Sequence, residues 1–543
     1  MHAPRRSRWS ACSLHCRRSR ARRWVQAWKP RSETDASSAR VRHGELLLSA
    51  ANLVVLAAVV RVRHPAPRFV AWFAAVAIGL SCAALEGVRA QMVPALVVTG
   101  ALGIAVWARF LAPLMTVPRW LASSLVAAAL LALSASIAAV AFVPVFELPH
   151  PTGPHAIGTV TLHWTDDSRD EMLVDHDDRE PRQIVAQVWY PAQLATAEAS
   201  ELSPYIADAS AVASGLARLH GLPAWSFRHL GLVTSHARAG ALVADDVDPF
   251  PVLLFIEGLT GYRQMNSFQI EELVSHGYVV VGLDLPGVAA AVVLPDGRVL
   301  HGLSKAEMEP LTQQSAQPRS PPPKHHGRPF SVGVIQYLAE DVSFAIDSLT
   351  LLQRSASASN WAARLDLELI GVFGVSFGGM AAAQASLKDP RIKACLVMDV
   401  LMTADVVSAG LSQPALWITR DANTMRAESA TAGGWTESDI LQTQRTMRAA
   451  FERSSSTSTF VLVPGMFHID FTDLDLLSPL LPMLGISGPV GAQRAHEIVN
   501  ALSLAFFDDS LKRSRGSSVA VAASAYPEVI VESRAARPVH RTP

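Results

Sequence analysis

Cysteine is nearly missing from this chain. The four present, Cys12, Cys16, Cys82 and Cys395, stand in no context of a metal knuckle or a disulfide framework, which excludes a zinc-stapled or disulfide-stapled scaffold. Charge is thin as well: 17% of the residues are charged against 50% hydrophobic, too apolar a balance for an ordinary soluble enzyme of 543 residues. There is no excess of either sign, with 47 basic and 47 acidic side chains. That equality hides an asymmetry. Residues 1–43 hold 12 Lys or Arg against only Glu33 and Asp35, so the remainder of the chain carries −10. A basic arm beside apolar sequence reads as the cytoplasmic flank of a membrane segment or as a disordered arm. No recognisable nucleic-acid fold follows it, so nucleic acid is not an expected partner.

What the chain has in quantity is apolar runs. "LLLSAANLVVLAAVV" (46–60), "FVAWFAAVAIGLSCAAL" (69–85), "MVPALVVTGALGIAVWA" (92–108) and "WLASSLVAAALLALSASIAAVAFVPVF" (120–146) follow one another, separated by short basic loops. A spanning helix needs roughly 20 mostly apolar residues; the fourth run has them without a charge, and the first is the weakest. The pattern predicts a transmembrane region over 44–148 with about four helices, and not a cleaved leader. The basic tail argues for a cytoplasmic N-terminus. The loop arginines (Arg61, Arg63 and Arg68, then Arg89 alone, then Arg109 and Arg119) favour the first and third loops inside, and so a C-terminal domain on the extracytoplasmic side of a cell membrane.

From 149 to 512 the pattern changes to strands alternating with helices. "AIGTVTLHW" and "RQIVAQVWYPA" form an opening antiparallel hairpin. "PFPVLLFI", "YVVVGLD", "LELIGVFGV", "IKACLVMDV", "QPALWITRD" and "TFVLV" read as strands, most of them buried and parallel, with helices between them. This is the signature of a mostly parallel sheet covered by helices on both faces. Residues 288–332, proline-rich at "SAQPRSPPPKHHGRPF", read as an irregular loop or cap. His325 and His326 there have no further ligand at metal spacing. Residues 513–543 read as a disordered tail, as do residues 1–43.

The chemistry centres on "GVFGVSFGGM". Ser376 stands in a G-x-S-x-G turn between an apolar strand and a helix, where the turn thrusts a hydroxyl out above the sheet. Gly374 and Gly378 leave room for so tight a turn, and Gly379 lets the helix pack close. A serine hydroxyl needs a base, and His468 in "PGMFHIDF" lies on a loop after the final strand, whereas His496 inside a helix reads as a surface residue. The orienting acid should lie between them. Asp399 and Asp421 both end strands, and pattern alone does not separate them; Arg420 is placed to pair with Asp421. Two backbone N–H groups must face a developing oxyanion. Phe377 supplies one, and Leu259, with Thr260 as the alternative, supplies the other.

Taken together and in order, these segments resemble the platelet-activating factor acetylhydrolase family of α/β-hydrolases, over roughly 150–512. "VAQVWYPA" is similar to its opening hairpin, "PVLLFIEGLTGYRQMNSFQIEELVSHGYVVVGLD" to its oxyanion segment, "GVFGVSFGG" to its nucleophile region, "RIKACLVMDVLM" to its acid segment and "PGMFHIDFTDL" to its histidine loop. The resemblance implies Ser376 as nucleophile, His468 as base and Asp399 as acid, with Leu259 and Phe377 as oxyanion donors, and no metal or cofactor. It implies cleavage of short-acyl or phospholipid-type esters, in a bacterial-type member with an added membrane region. Two departures bear on substrate: Glu257–Gly258 stands where the family has His-Gly, and Val375 where it has histidine. The alternatives are a broader esterase, cutinase-like or dienelactone-hydrolase-like, using Asp421, and a hydrolase fold kept for binding alone.

Overall fold

A computed structural model describes residues 43–536 apart from 87–91, 113–116, 143, 175–179, 195–196, 198–199, 246–247, 356–360 and 515–517. The basic arm, 1–42, lies outside the described residues. Four helices come first: α1 (His43–Arg61), α2 (Pro65–Glu86), α3 (Val93–Leu111) and α4 (Arg119–Phe142). Three of them are long and apolar enough to cross a membrane, over Pro65–Ala84, Val93–Leu111 and Arg119–Ala138. The apolar part of α1, Leu46–Arg61, is shorter. Of about four expected spans, length and composition therefore support three.

These helices turn their large apolar side chains outward: Leu80 is 67%, Ile104 74% and Leu131 73% exposed. Such a surface suits hydrocarbon and not water. Their interior polar groups are satisfied within the bundle. The Asn52 side chain donates to the Ala95 carbonyl (2.9 Å) and accepts from the Thr99 hydroxyl (3.0 Å), as a dry environment requires. Just after α4, Phe146 and Leu148 are buried in the core of the second region, Phe146 edge-on to Tyr205 at 5.5 Å.

The second region is built on one ten-stranded sheet. In chain order its strands are β1 (Ala156–Asp170), β2 (Pro181–Ala192), β3 (Ala237–Ala239), β4 (Phe250–Ile256), β5 (Val279–Asp284), β6 (Leu365–Val375), β7 (Ile392–Met398), β8 (Ala415–Thr419), β9 (Ser458–Leu462) and β10 (Ile530–Arg534). In space they run β10-β9-β8-β7-β6-β4-β5-β2-β1-β3. The stretch β5-β4-β6-β7-β8-β9 is parallel throughout. Its strands are continuous apolar runs because both of their faces are covered. The long β1–β2 hairpin pairs antiparallel in register Ala156 to Ala192 and joins the sheet through β2 against β5.

A separate apolar core lies on each face. One receives α8 (Val334–Gln353), α9 (Phe377–Lys388) and α12 (Glu437–Arg453). The other receives α5 (Ala209–Leu219), α6 (Ser267–Ser275) and α13 (Ala492–Phe507). Two shorter helices, α10 (Ala404–Ala409) and α11 (Ala422–Ala432), lie beyond the strand ends.

Two stretches differ from expectation. Within 288–332 the chain forms a small hairpin (Ala291–Val293 with Val299–His301) and the helix α7 (Lys305–Ala316). A capping box between Ser304 and Glu307 starts α7, and Pro310 inside it disguised a helix as loop. The expected disorder over 513–543 is corrected for its described part. After a short helix, α14 (Val519–Ala523), β10 pairs antiparallel with β9 and covers what would otherwise be an open sheet edge.

Candidate active site

The C-terminal ends of β4, β6, β7, β8 and β9 gather at one end of the sheet, where open α/β sheets place their ligand sites. At the end of β6 the chain turns directly into α9. Ser376 alone makes the turn, with φ 54° and ψ −129°, a strained conformation for a residue with a Cβ. The turn closes so tightly that a Cβ on Gly374 would lie 2.5 Å from the backbone of Gly378, and one on Gly378 would drive into the Ile256 carbonyl oxygen. Gly379 is less crowded, its nearest neighbour 3.1 Å away.

His468 begins a 3-10 turn after β9 (His468–Phe471). Its Nε2 lies 3.0 Å from Ser376 Oγ and its Nδ1 2.6 Å from Asp399 Oδ2. Asp399 follows β7 in the left-handed region, φ 49°, and is fully buried. Its Oδ1 accepts from the Thr419 hydroxyl at 2.7 Å. Burial alone would raise its pKa; the Arg420 charge and the hydrogen bonds from His468 and Thr419 outweigh that and hold the carboxyl well below the usual range. An ionised Asp399 keeps the imidazole proton on Nδ1, which leaves Nε2 to accept from the serine.

Asp421 is not brought to this site. It is the N-cap of α11, and its carboxylate accepts the Asn423 N–H (2.8 Å), the Thr424 N–H (3.2 Å) and the Thr424 hydroxyl (2.6 Å). Nor does Arg420 pair with it. Successive residues leave a strand in opposite directions, and the Arg420 guanidinium turns inward to Asp399 and Glu428.

The loop after β4 approaches the serine from the other side. The Leu259 and Phe377 N–H groups carry no hydrogen-bond partner among the described residues. The Thr260 N–H donates to the Val288 carbonyl at 2.9 Å, so Thr260 is removed as an alternative donor. Glu257 is buried, with Oε1 accepting the Leu285 N–H at 2.8 Å. Burial and the nearby Asp284 charge push its carboxyl well above the usual range, which disfavours a negative charge where the family has His-Gly. Val375 is buried in the core.

Three side chains around the site stand otherwise than the sequence suggests or carry no motif. Trp435 packs edge-on against His468, ring centroids 5.2 Å apart, and Arg420 lies 5.0 Å over the same ring. No spacing marks either residue. The third is His496, which is buried and not at the surface: it stacks on Phe268 at 3.8 Å and pairs with Asp475 at 3.0 Å. Asp475 and Asp473 lie in the turn that continues from the His468 loop, and Asp473 accepts the Ser267 and Phe268 N–H groups at the start of α6. Burial pushes Asp473 up to about 7 and Asp475 up to about 6, in each case against the pull of His496. Burial opposes the charge on His496, but Asp475 and Asp473 raise it overall.

The two carboxyls hold protons in the folded state that the unfolded chain has already released from about pH 4 upward. Stability contributed here is therefore present at low pH and lost as pH rises through about 6 to 7 and beyond. The unfolding free energy of the detergent-solubilised protein, read from denaturation curves, is expected to fall between pH 5 and pH 8 by an amount on the order of a few kcal/mol. The Asp473→Asn/Asp475→Asn double variant should flatten that slope; an unchanged slope would mean the cluster does not set it.

A serine on a strand-to-helix elbow, a histidine after a later strand of the same parallel sheet and a carboxylate between them in sequence define an α/β-hydrolase-fold domain, here attached to membrane-type helices. The chain belongs to the family described as platelet-activating factor acetylhydrolase, isoform II, whose profile matches residues 140–293 and 339–518, more than half of it. It is 21% identical over 271 residues to platelet-activating factor acetylhydrolase of Cavia porcellus, covering 49% of this chain and 58% of that one, less than two thirds of the relative's length. It is 21% identical over 399 residues to the enzyme of the same name from Gallus gallus, covering 68% of this chain and 85% of the other. Among solved structures, a ferulic acid esterase from Streptomyces cinnamoneus superposes with a TM-score of 0.53 at 24% identity, over 71% of this chain and 99% of that one, a likeness of fold.

Proposed function

We propose that this protein is a membrane-anchored serine carboxylic ester hydrolase acting on short-acyl or phospholipid-type esters. The observation that carries the reading is the unbroken contact from Ser376 Oγ through the His468 ring to Asp399, at 3.0 and 2.6 Å. In the first half-reaction His468 Nε2 takes the hydroxyl proton as Ser376 attacks the ester carbonyl. The carbonyl oxygen becomes an oxyanion facing the free N–H groups of Leu259 and Phe377. Collapse expels the alcohol, which takes the proton from His468, and leaves an acyl-enzyme on Ser376. A water activated by the same histidine then releases the acid.

The membrane helices support a substrate met at the bilayer, and the arginines of the helix-connecting loops support a catalytic domain on the extracytoplasmic side. The test is a fluorophosphonate probe together with a series of esters of increasing acyl length, on a free alcohol and on a phospholipid head group. The expected result is labelling of the protein and a kcat/KM that falls as the acyl chain lengthens. A folded protein that takes no label and cleaves none of these esters would refute the proposal.

A further inference from the structure

Arg420 is 0% exposed, a depth at which an arginine is found only when paired. Its guanidinium meets Asp399 Oδ2 at 2.9 Å as an ion pair and not as an aligned hydrogen bond. On its other side it meets Glu428. Glu428 in turn accepts the backbone N–H of His468 at 3.4 Å, and the guanidinium also lies over Trp435, the ring packed against the His468 imidazole. One buried cation therefore touches the acid directly, the main chain of the base through Glu428, and the ring of the base through Trp435.

We propose that Arg420 is a positioning residue of this site that competes with His468 for the charge of Asp399, so that the imidazole stays free to take the serine proton under mildly acidic conditions. The inference rests on the serine-hydrolase reading above. The physical argument has two parts with one sign. A carboxylate already facing a guanidinium stabilises an imidazolium less than a lone carboxylate does. The guanidinium itself, on the far side of that carboxylate, repels a second cation. The groups that face His468 are Ser376 from the elbow, Asp399 from the end of β7, Arg420 from the end of β8 and Glu428 from α11, with Lys305 of α7 beyond the Trp435 ring at 5.8 Å. On its own turn, Asp470 is engaged with the Phe467 and Gly488 N–H groups at 2.7 and 2.8 Å. Glu428 is thus the counterweight to Arg420, and removing each should act in opposite directions.

The experiment measures kcat/KM for p-nitrophenyl butyrate from pH 5 to 9 on the full-length protein in detergent, with fluorophosphonate labelling of every variant at high pH. In Arg420→Met/Glu428→Gln, which keeps the net charge, the acid limb of the profile should lie at higher pH than in Glu428→Gln alone, because the guanidinium facing Asp399 is gone as well. In Glu428→Gln alone it should move to lower pH. Arg420→Lys, which keeps the charge without the planar fork, should hold the limb in place while the plateau falls. An acid limb unmoved in Glu428→Gln and in the double variant, with losses confined to the plateau, would overturn the proposal and leave Arg420 as a structural pin. If the double variant does not fold, Glu428→Gln against Arg420→Lys still decides by the presence or absence of a limb shift. Wild-type protein that neither cleaves ester nor takes the probe would fail the hydrolase reading itself, a result distinct from a wild type that is active and a limb that stays still.

Discussion

Replacing Ser376 with alanine is expected to abolish fluorophosphonate labelling and to lower kcat for ester hydrolysis by about 10⁴-fold or more. The change removes one oxygen, the atom 3.0 Å from His468 Nε2, and leaves the Cβ, the elbow and the oxyanion-facing N–H groups in place. Stability should hardly move, because alanine suffers the same positive φ as serine. Glycine does not. Ser376→Gly should be just as inactive yet about 1 kcal/mol more stable than Ser376→Ala, since it relieves the strain of φ 54°, ψ −129°. Thermal melts of the two variants, read beside their labelling, separate loss of the nucleophile from loss of the fold. Residual turnover near wild type in Ser376→Ala would show that the reaction does not pass through this hydroxyl.

The second large effect is a contrast between two aspartates. Asp399→Asn should lower kcat by about 10³- to 10⁴-fold. The amide would present an N–H or a neutral oxygen where His468 Nδ1 and Arg420 now both meet a carboxylate, so the imidazole loses both its anionic partner and its fixed tautomer. Asp421→Asn should change kcat less than about 3-fold, because Asn caps a helix about as well as Asp. Asp421→Ala should cost about 1 kcal/mol of stability through the lost cap of α11 and still leave kcat near wild type. Steady-state kinetics on the three variants decide the matter; a collapse of kcat in Asp421→Asn with Asp399→Asn active would reverse the assignment of the acid.

Much of this architecture is legible in the sequence. Continuous apolar runs alternating with helices read as a covered parallel sheet, and the Gly374-to-Gly379 elbow announces itself because so few residues fit it. Asp399 and Asp421 could not be told apart by pattern, since both close a strand; what separates them is where the side chain points, and that depends on the left-handed turn at Asp399 and the helix cap at Asp421. His496 looked like a surface residue because a lone polar side chain on a helix usually is one, and nothing local reveals that Phe268, Asp473 and Asp475 close over it from distant parts of the chain. The edge strand β10 follows a small, charged stretch with little periodicity, and only pairing with β9 gives it a structure. Arg420 was visible as a charge beside Asp421 but not as a partner of Asp399, because neighbours in sequence face apart on a strand.

The join between α4 and the sheet domain has a consequence of its own. The last of the membrane-type helices ends at Phe142, while Phe146 and Leu148 are already buried in the core of the sheet domain. The leash is then only 143–145, about 10 Å at full stretch. A domain on so short a leash cannot search the bulk solvent or reach across to another vesicle. On the proposed reading as a membrane-anchored ester hydrolase, its turnover is expected to follow the surface density of ester in the leaflet beside it and not the total concentration in the suspension.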